Sequence, residues 1–294
     1  MARGPRPRAE RSSGHAYLAL ALMTLVVPCV AVAQEGRAGH AATFAAHDYA
    51  FDGPTQLSTG WQTITLANLG SETHHLQFAR LNDDVTPEQF FEALAAEGEG
   101  ALRLATMTGG VGMIPPGNTG AVLVDFTQPG DYVLLCFLPN GEGVPHLALG
   151  MTDVLQVVSE AVEASAEEPI ANLEVHMSDF AFDIPDTLPA GRQTWKVIND
   201  GPQPHEMILV KLNEGATFEQ FVAELKTNGE AYLPGVPIGG AQALNAGLAS
   251  YLTYDLEPGD YAVICSVPDP ETGEPHYMLG MAAGFTVEGA TAGY

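Results

Sequence analysis

The feature that most constrains this chain is an internal repeat, which covers nearly all of the sequence beyond the N-terminal segment. Four landmarks of the first half recur in the same order in the second half. They are Asp48–Asp52 and Asp179–Asp183, Asn68-x-Gly70 and Asn199-x-Gly201, Pro129–Tyr132 and Pro258–Tyr261, and Pro145-His146 and Pro275-His276. A repeat of this kind predicts one structural unit present twice. The sequence therefore predicts two domains, 41–158 and 171–288, joined by an Ala/Glu-rich linker over 159–170.

Within each half, the local pattern is mostly that of short strands. Runs rich in β-branched and aromatic residues end at Pro-Gly turns. These runs are Trp61–Asn68, Ala121–Phe126, Tyr132–Cys136, Gln193–Asn199 and Tyr261–Cys265. One helix is predicted in each half, over Pro87–Ala96 and Thr217–Leu225, and the Gly/Pro-rich stretches 108–120 and 234–247 are predicted to be loops. The pattern favours an all-β chain built from two-sheet sandwiches.

Residues that bind transition metals also recur in both halves. The recurring set is His74, Cys136, His146 and Met151 in the first half, and His205, Cys265, His276 and Met281 in the second. Two imidazoles, a thiolate and a thioether form the ligand set of a blue-copper centre with a weak axial Met. His74 is a better candidate than its neighbour His75, whose counterpart is Glu206, and His47 and His176 lack counterparts. We therefore expect up to one copper ion, cycling between Cu(I) and Cu(II), in each half.

Simpler explanations of the same residues remain open at this point. A cysteine at the end of an apolar strand is usually a small core residue, and a sandwich can keep its shape after losing its metal. A disulfide between Cys136 and Cys265 is possible on count, but equivalent interior positions of two domains rarely meet. The recurrence of all four residue types in order favours the metal site.

The motifs resemble those of the cupredoxin family, which includes plastocyanin, azurin and pseudoazurin. The resembling residues are Asn68-x-Gly70-x3-His74 with Tyr132-x3-Cys136-x9-His146-x3-Gly150-Met151, and Asn199-x-Gly201-x3-His205 with Tyr261-x3-Cys265-x10-His276-x3-Gly280-Met281. The resemblance implies two tandem Greek-key β-sandwich domains, each with a short helical insertion and a type 1 copper at one end. It also implies that the Cys is the thiolate ligand, the two His are equatorial ligands, the Met is the long axial ligand, and the function is single-electron transfer outside the cytoplasm.

The N-terminal segment has the layout of a secretory signal peptide. Four arginines precede an apolar run over Tyr17–Val32, and Ala31-Val32-Ala33 offers small residues for cleavage after Ala33. An uncleaved anchor is the alternative, because the run is near the lower length limit for crossing a bilayer. Cleavage would remove residues 1–33, including Cys29. The expected location is therefore the periplasm or the exterior, with no membrane insertion afterwards.

The charge of the chain limits its partners. Eleven Lys and Arg stand against 36 Asp and Glu, which gives a formal net charge of −25. Such a charge repels phosphate backbones, so nucleic-acid binding is excluded. The expected partner is a redox protein with a basic or neutral docking face.

The sequence lacks the motifs expected of an enzyme. No His-x-His occurs, no His is adjacent to Cys136 or Cys265, and Gly-x-Ser-x-Gly, His-Glu-x-x-His and Cys-x-x-Cys are absent. We therefore expect an electron carrier or copper-binding protein and not an enzyme. Two rival functions are copper delivery or storage without redox turnover, and a metal-free binding module.

Overall fold

The computed structural model describes residues 1, 41–126, 128–159 and 168–289. Strands dominate the described residues, and those of the eight-stranded sheet alternate in burial most clearly. In the strand Trp61–Asn68, Gln62, Ile64, Leu66 and Asn68 are buried while the residues between them are partly exposed. This period of two is what a sheet with one covered face requires. The predicted signal peptide lies outside the described residues, as does most of the predicted linker.

The described residues of the first half contain nine strands and one α-helix. The strands are β1 (Ala41–His47), β2 (Ala50–Asp52), β3 (Gln56–Ser58), β4 (Trp61–Asn68), β5 (His74–Leu81), β6 (Ala105–Ile114), β7 (Thr119–Asp125), β8 (Gly130–Leu135) and β9 (Thr152–Val158). The helix α1 (Pro87–Glu97) and a following 3-10 segment (Gly98–Leu104) connect β5 to β6. A 3-10 turn over His146–Leu149 precedes β9.

The second half repeats this order. Its strands are β10 (Leu173–Ser178), β11 (Ala181–Asp183), β12 (Thr187–Pro189), β13 (Gly191–Asn199), β14 (His205–Leu212), β15 (Gly235–Leu244), β16 (Ala249–Leu256), β17 (Gly259–Ile264) and β18 (Ala282–Glu288). The helix α2 (Phe218–Asn228) and a 3-10 segment (Gly229–Tyr232) connect β14 to β15. The predicted fold class, tandem Greek-key β-sandwiches with one short helical insertion each, is confirmed.

Strands from both halves form two shared sheets. One sheet has the order β11-β10-β13-β16-β7-β4-β1-β2, and the other has the order β12-β18-β17-β14-β15-β6-β5-β8-β9-β3. The halves therefore join edge to edge, through β7 with β16 and β6 with β15. Buried residues of both halves, such as Phe44, Phe78 and Trp195, belong to one hydrophobic cluster between the sheets.

The prediction that residues 108–120 and 234–247 are loops is wrong for most of both stretches. They contain β6 and β15, whose glycines allow the two halves to approach closely. A Cβ atom on Gly112 would lie 2.7 Å from the backbone nitrogen of Gly240. A second glycine, Gly110, allows β6 to approach β5 within the first half. It has a φ of +150°, and a Cβ there would overlap the carbonyl oxygen of Leu76. Glycine has a low propensity for strands, but the pairing between halves overrides that preference here.

The two helices begin where the sequence places them. Thr86 and Thr217 form capping boxes with Gln89 and Gln220, which satisfy the free N–H groups of the first turn. Phe90 in α1 packs with residues of β5 and β8, and Phe221 in α2 packs with residues of β14 and β17. Each helix thus covers the outer face of the ten-stranded sheet. No helix among the described residues has the length and apolar character needed to cross a membrane.

Candidate metal centres

In the first half, three predicted ligands meet at one end of the sandwich. His74 begins β5, Cys136 directly follows β8, and His146 begins a 3-10 turn. All three side chains are buried. The Nδ1 atoms of His74 and His146 lie 3.1 Å apart, and the Cys136 Sγ lies 3.5 Å from the His146 Nδ1. We call these residues the first donor group.

The second half builds the same arrangement from the equivalent elements. Here His205, Cys265 and His276 form the second donor group, and all three are buried. The two Nδ1 atoms are 3.0 Å apart. The Cys265 Sγ lies 3.4 Å from the Nδ1 of His276 and 4.0 Å from the Nδ1 of His205. Cys136 and Cys265 belong to different groups and are both free thiols, which rules out the disulfide considered from the sequence.

The spacing of the donor atoms suits a single ion in each group. Within each group the three candidate ligand atoms lie within 4.8 Å of one another. A zinc-sized ion lies about 2.0 Å from imidazole nitrogen and about 2.3 Å from thiolate sulfur, so two nitrogens at the observed separation would subtend an angle of about 100° at it. Imidazole and thiolate ligands suit copper and zinc. The residues present therefore fit the copper ion that the cupredoxin resemblance implies.

The two predicted methionine ligands lie beside the donor groups. Met151 and Met281 are fully buried. The backbone N–H of Met151 donates to the His146 carbonyl at 3.0 Å, and the N–H of Cys136 donates to the Met151 carbonyl at 3.3 Å. In the second half, Met281 makes the same two bonds with His276 and Cys265, at 2.9 and 3.2 Å. The residue before each Met, Gly150 or Gly280, has a φ of +105° or +118°, a conformation that favours glycine. The structure thus explains the Gly-Met pair, and the thioether ligation stays a prediction.

Acceptors on the outer side of the imidazoles orient the rings. The Nε2 atoms of His74 and His205 lie 3.0 and 2.9 Å from Asp48 and Asp179. Because Nε2 faces an acceptor, it carries the ring proton and leaves Nδ1 free to bind a metal. This role of the two aspartates was not predicted from the sequence. The signal that could have found them is their recurrence within the repeated motif Asp-aromatic-Ala-Phe-Asp.

The second imidazole of each group has a different partner in each half. The Nε2 of His146 lies 2.9 Å from a carboxylate oxygen of Glu72, whereas the Nε2 of His276 lies 2.9 Å from the amide oxygen of Gln203. Both partners stand two residues before the upstream His. Burial lowers the pKa of His74 and His205 and lowers that of His276 to about 4. These imidazoles are therefore neutral near pH 7, the form that binds metals.

Burial also acts on the two thiols. It raises the pKa of Cys136 to about 12 and raises that of Cys265 well above its ordinary value. The backbone N–H of Glu206 donates to the Cys265 sulfur at 3.4 Å, which partly opposes the shift. Without metal each cysteine is therefore a protonated thiol, and a metal ion must displace that proton to bind.

The repeated asparagine fixes the loop that leads to the upstream His. The Asn68 side chain donates to the carbonyl oxygens of Glu72 and Ile114, both at 2.7 Å, and accepts from the N–H of Gly70 at 2.9 Å. Asn199 makes the same three bonds in the second half. Asn68 therefore positions His74 by holding its loop against the end of β6.

The residue after the upstream His links the two chain segments of each site. The Nε2 of His75 accepts from the N–H of Phe137 at 2.7 Å, and Glu206 accepts from the N–H of Ser266 at 3.0 Å. His75 is thus bonded to backbone and lies outside the first donor group. The other two histidines without counterparts also lie outside both groups, where His47 pairs with Asp52 and His176 with Asp200.

Comparisons with known proteins find distant similarities to solved copper proteins. No family model and no curated protein matches the chain. A reduced auracyanin from Roseiflexus castenholzii is 24% identical with a TM-score of 0.27, over 41% of this chain and 98% of that one. A multicopper oxidase is 16% identical with a TM-score of 0.25, over 84% of this chain and 88% of that one. A copper nitrite reductase from Nitrosomonas europaea is 14% identical with a TM-score of 0.24, over 84% of this chain and 93% of that one. The repeated strand order and the two donor groups, and not these distant similarities, support two tandem copies of one fold.

One expectation about this chain is overturned. The expectation that the chain is not an enzyme is contradicted, since solved structures similar to it over 84% of its length include a multicopper oxidase and copper nitrite reductases. The exclusion depended on the absence of contiguous motifs such as His-x-His. The first donor group shows why that absence decides nothing, since His74 and His146 are 72 residues apart in sequence and 3.1 Å apart in space.

Proposed function

We propose that the protein binds two copper ions, one in each half, and passes single electrons through them as type 1 centres. The observation that carries the proposal is the pair of buried His-Cys-His groups, built twice from equivalent strands and loops. Two imidazoles and a thiolate next to a buried Met are the ligand types of blue-copper electron-transfer sites. The proposed ligands are His74, Cys136, His146 and Met151, with His205, Cys265, His276 and Met281 in the second half.

The chain holds these donors in place before any ion binds. Bound copper supplies a couple between Cu(I) and Cu(II), which carries one electron. Asp48 and Asp179 keep a proton on the outer nitrogen of the upstream imidazole and fix its ring. The backbone bonds that join Cys136, His146 and Met151 fix the loop that carries the other donors. Burial excludes water from the donor atoms.

The sequence supports the proposed cellular location and partners of the protein. The N-terminal segment supports export to the periplasm or the exterior. The net charge of −25 supports docking to a redox protein with a basic or neutral face. The association rate with such a partner is expected to fall as ionic strength rises, since salt screens the attraction. A rate that is independent of salt would refute this part of the proposal.

Copper loading of three proteins tests the proposed function. The wild-type chain is expected to bind two equivalents of copper with visible copper–thiolate absorption. Cys136→Ser and Cys265→Ser are each expected to lose one equivalent and about half of that absorption. A wild-type protein that stays colourless with copper would contradict the proposal. Loss of copper to a chelator within seconds, without a reversible one-electron potential, would instead indicate copper delivery or storage.

A further inference from the structure

The two donor groups differ in the charge that touches their second imidazole. Glu72 places a carboxylate oxygen 2.9 Å from the Nε2 of His146. At the equivalent position, Gln203 places a neutral amide oxygen 2.9 Å from the Nε2 of His276. The upstream imidazoles do not differ in this way, because Asp48 and Asp179 face them at 3.0 and 2.9 Å.

The second half has a carboxylate near this imidazole as well, but one residue farther out. Asp269 accepts from the amide nitrogen of Gln203 at 3.1 Å, and its counterpart in the repeat is Asn140. Amide and carboxylate have thus exchanged places between the halves. The exchange extends to a third residue, since Tyr49 donates to Glu72 at 3.2 Å while its counterpart is Phe180. The two arrangements are therefore different networks around the same imidazole.

The order of these groups has an electrostatic consequence. The Glu72 oxygen lies 2.9 Å from the His146 Nε2 but does not form a hydrogen bond with it, so it acts on the imidazole through its charge. Its negative charge also stabilises the more positive metal ion, by an energy that falls as the distance grows. Glu72 is about one-third exposed, so solvent screening moderates this effect without removing it. A carboxylate behind an amide, as in the second half, acts from farther away.

We propose that Glu72 gives the first copper centre a lower reduction potential than an amide at the same position would give it. Because Gln203 occupies that position in the second half, a molecule that carries one electron holds it preferentially in the second half. The inference rests on the proposed function. The step it describes is balanced, because copper(I) in the first half is oxidised, copper(II) in the second half is reduced, and one electron moves with no bond formed or broken. Glu72 is thus a positioning residue for the ligand His146 and not itself a ligand.

Exchange of the two residues, with each centre studied alone, tests the inference. In a Cys265→Ser background, Glu72→Gln is expected to raise the potential of the first centre. In a Cys136→Ser background, Gln203→Glu is expected to lower the potential of the second centre. Each shift is expected to change the ratio of oxidised to reduced copper at a fixed potential by about tenfold, or about 59 mV for one electron. The potentials would be measured by spectroscopic titration with small-molecule redox mediators.

A matched control separates a local effect from a general loss of negative charge. Glu142 is exposed on the Cys136–His146 loop, so Glu142→Gln removes one charge nearby and is expected to leave the potential unchanged. The remaining differences between the halves, such as His75 against Glu206 and Tyr49 against Phe180, stay the same in each comparison of a variant with its background and cannot cause the shifts. If the Cys265→Ser background binds no copper, the proposed function itself fails. If it binds copper but Glu72→Gln shifts the potential no more than Glu142→Gln, only the present inference fails.

Discussion

Removal of the Asn68 side chain tests whether the loop before His74 is fixed as the structure shows. Asn68→Ala removes three hydrogen bonds, to Glu72, Ile114 and Gly70. The side chain is buried, with 1% of its surface exposed. A hydrogen bond within a protein contributes about 0.5–1.5 kcal/mol net, and a buried carbonyl left without a partner costs more. The expected loss in the free energy of unfolding is therefore about 3 kcal/mol.

Urea denaturation of the metal-free protein, followed by circular dichroism, measures this loss. Asn68→Asp serves as a graded control, because it keeps an acceptor for the Gly70 N–H and loses both donors. Asn199→Ala is expected to match Asn68→Ala, since Asn199 makes the same three bonds in the second half. A loss below about 0.5 kcal/mol for Asn68→Ala, within the range of ordinary surface substitutions, would refute the reasoning.

Three further predictions concern the joined sheets and the donor groups. Gly112→Ala is expected to destabilise the protein by about 1–3 kcal/mol in thermal denaturation, because the added Cβ would lie 2.7 Å from the Gly240 nitrogen. Gly141→Ala is the control and should be neutral, because a Cβ at Gly141 has no atom within 4 Å. Equal effects of the two substitutions would be inconsistent with close packing between the halves. Cys136 in the metal-free protein should react slowly with a thiol reagent at pH 8, because a pKa raised to about 12 leaves roughly one thiol in ten thousand ionised. Labelling of Cys136 at the rate of an exposed cysteine would contradict this prediction. Copper should raise the melting temperature in proportion to the logarithm of its concentration, and Cys136→Ser should reduce that rise; an undiminished rise would show that copper binds elsewhere.

The sequence alone predicts the parts of this protein that depend on local order. The repeat predicts two copies of one unit because landmarks such as Pro129–Tyr132 recur at the same places. The candidate donor residues are predicted because their types suit copper and recur in the same order in both halves. The two helices are predicted because a Thr cap and apolar residues at helical spacing lie close together in sequence.

The parts that were missed depend on contacts between distant segments. The strands β6 and β15 are rich in glycine and are strands because the halves pair there. Glu72 and Gln203 could not be assigned, because their contacts exist only once the loop before the upstream His has folded beside the second His. The exclusion of an enzyme depended on contiguous motifs, although donor residues from distant parts of the chain can meet in space, as His74 and His146 do.

A crystal structure of the copper-loaded protein, with copper located by its anomalous scattering, tests the central claim most directly. We expect two copper positions per chain, each bonded to two Nδ1 atoms and one Sγ atom of a donor group. Copper bound only at outer sites, such as the exposed pair of His176 and Asp200, with both donor groups left empty, would contradict the account.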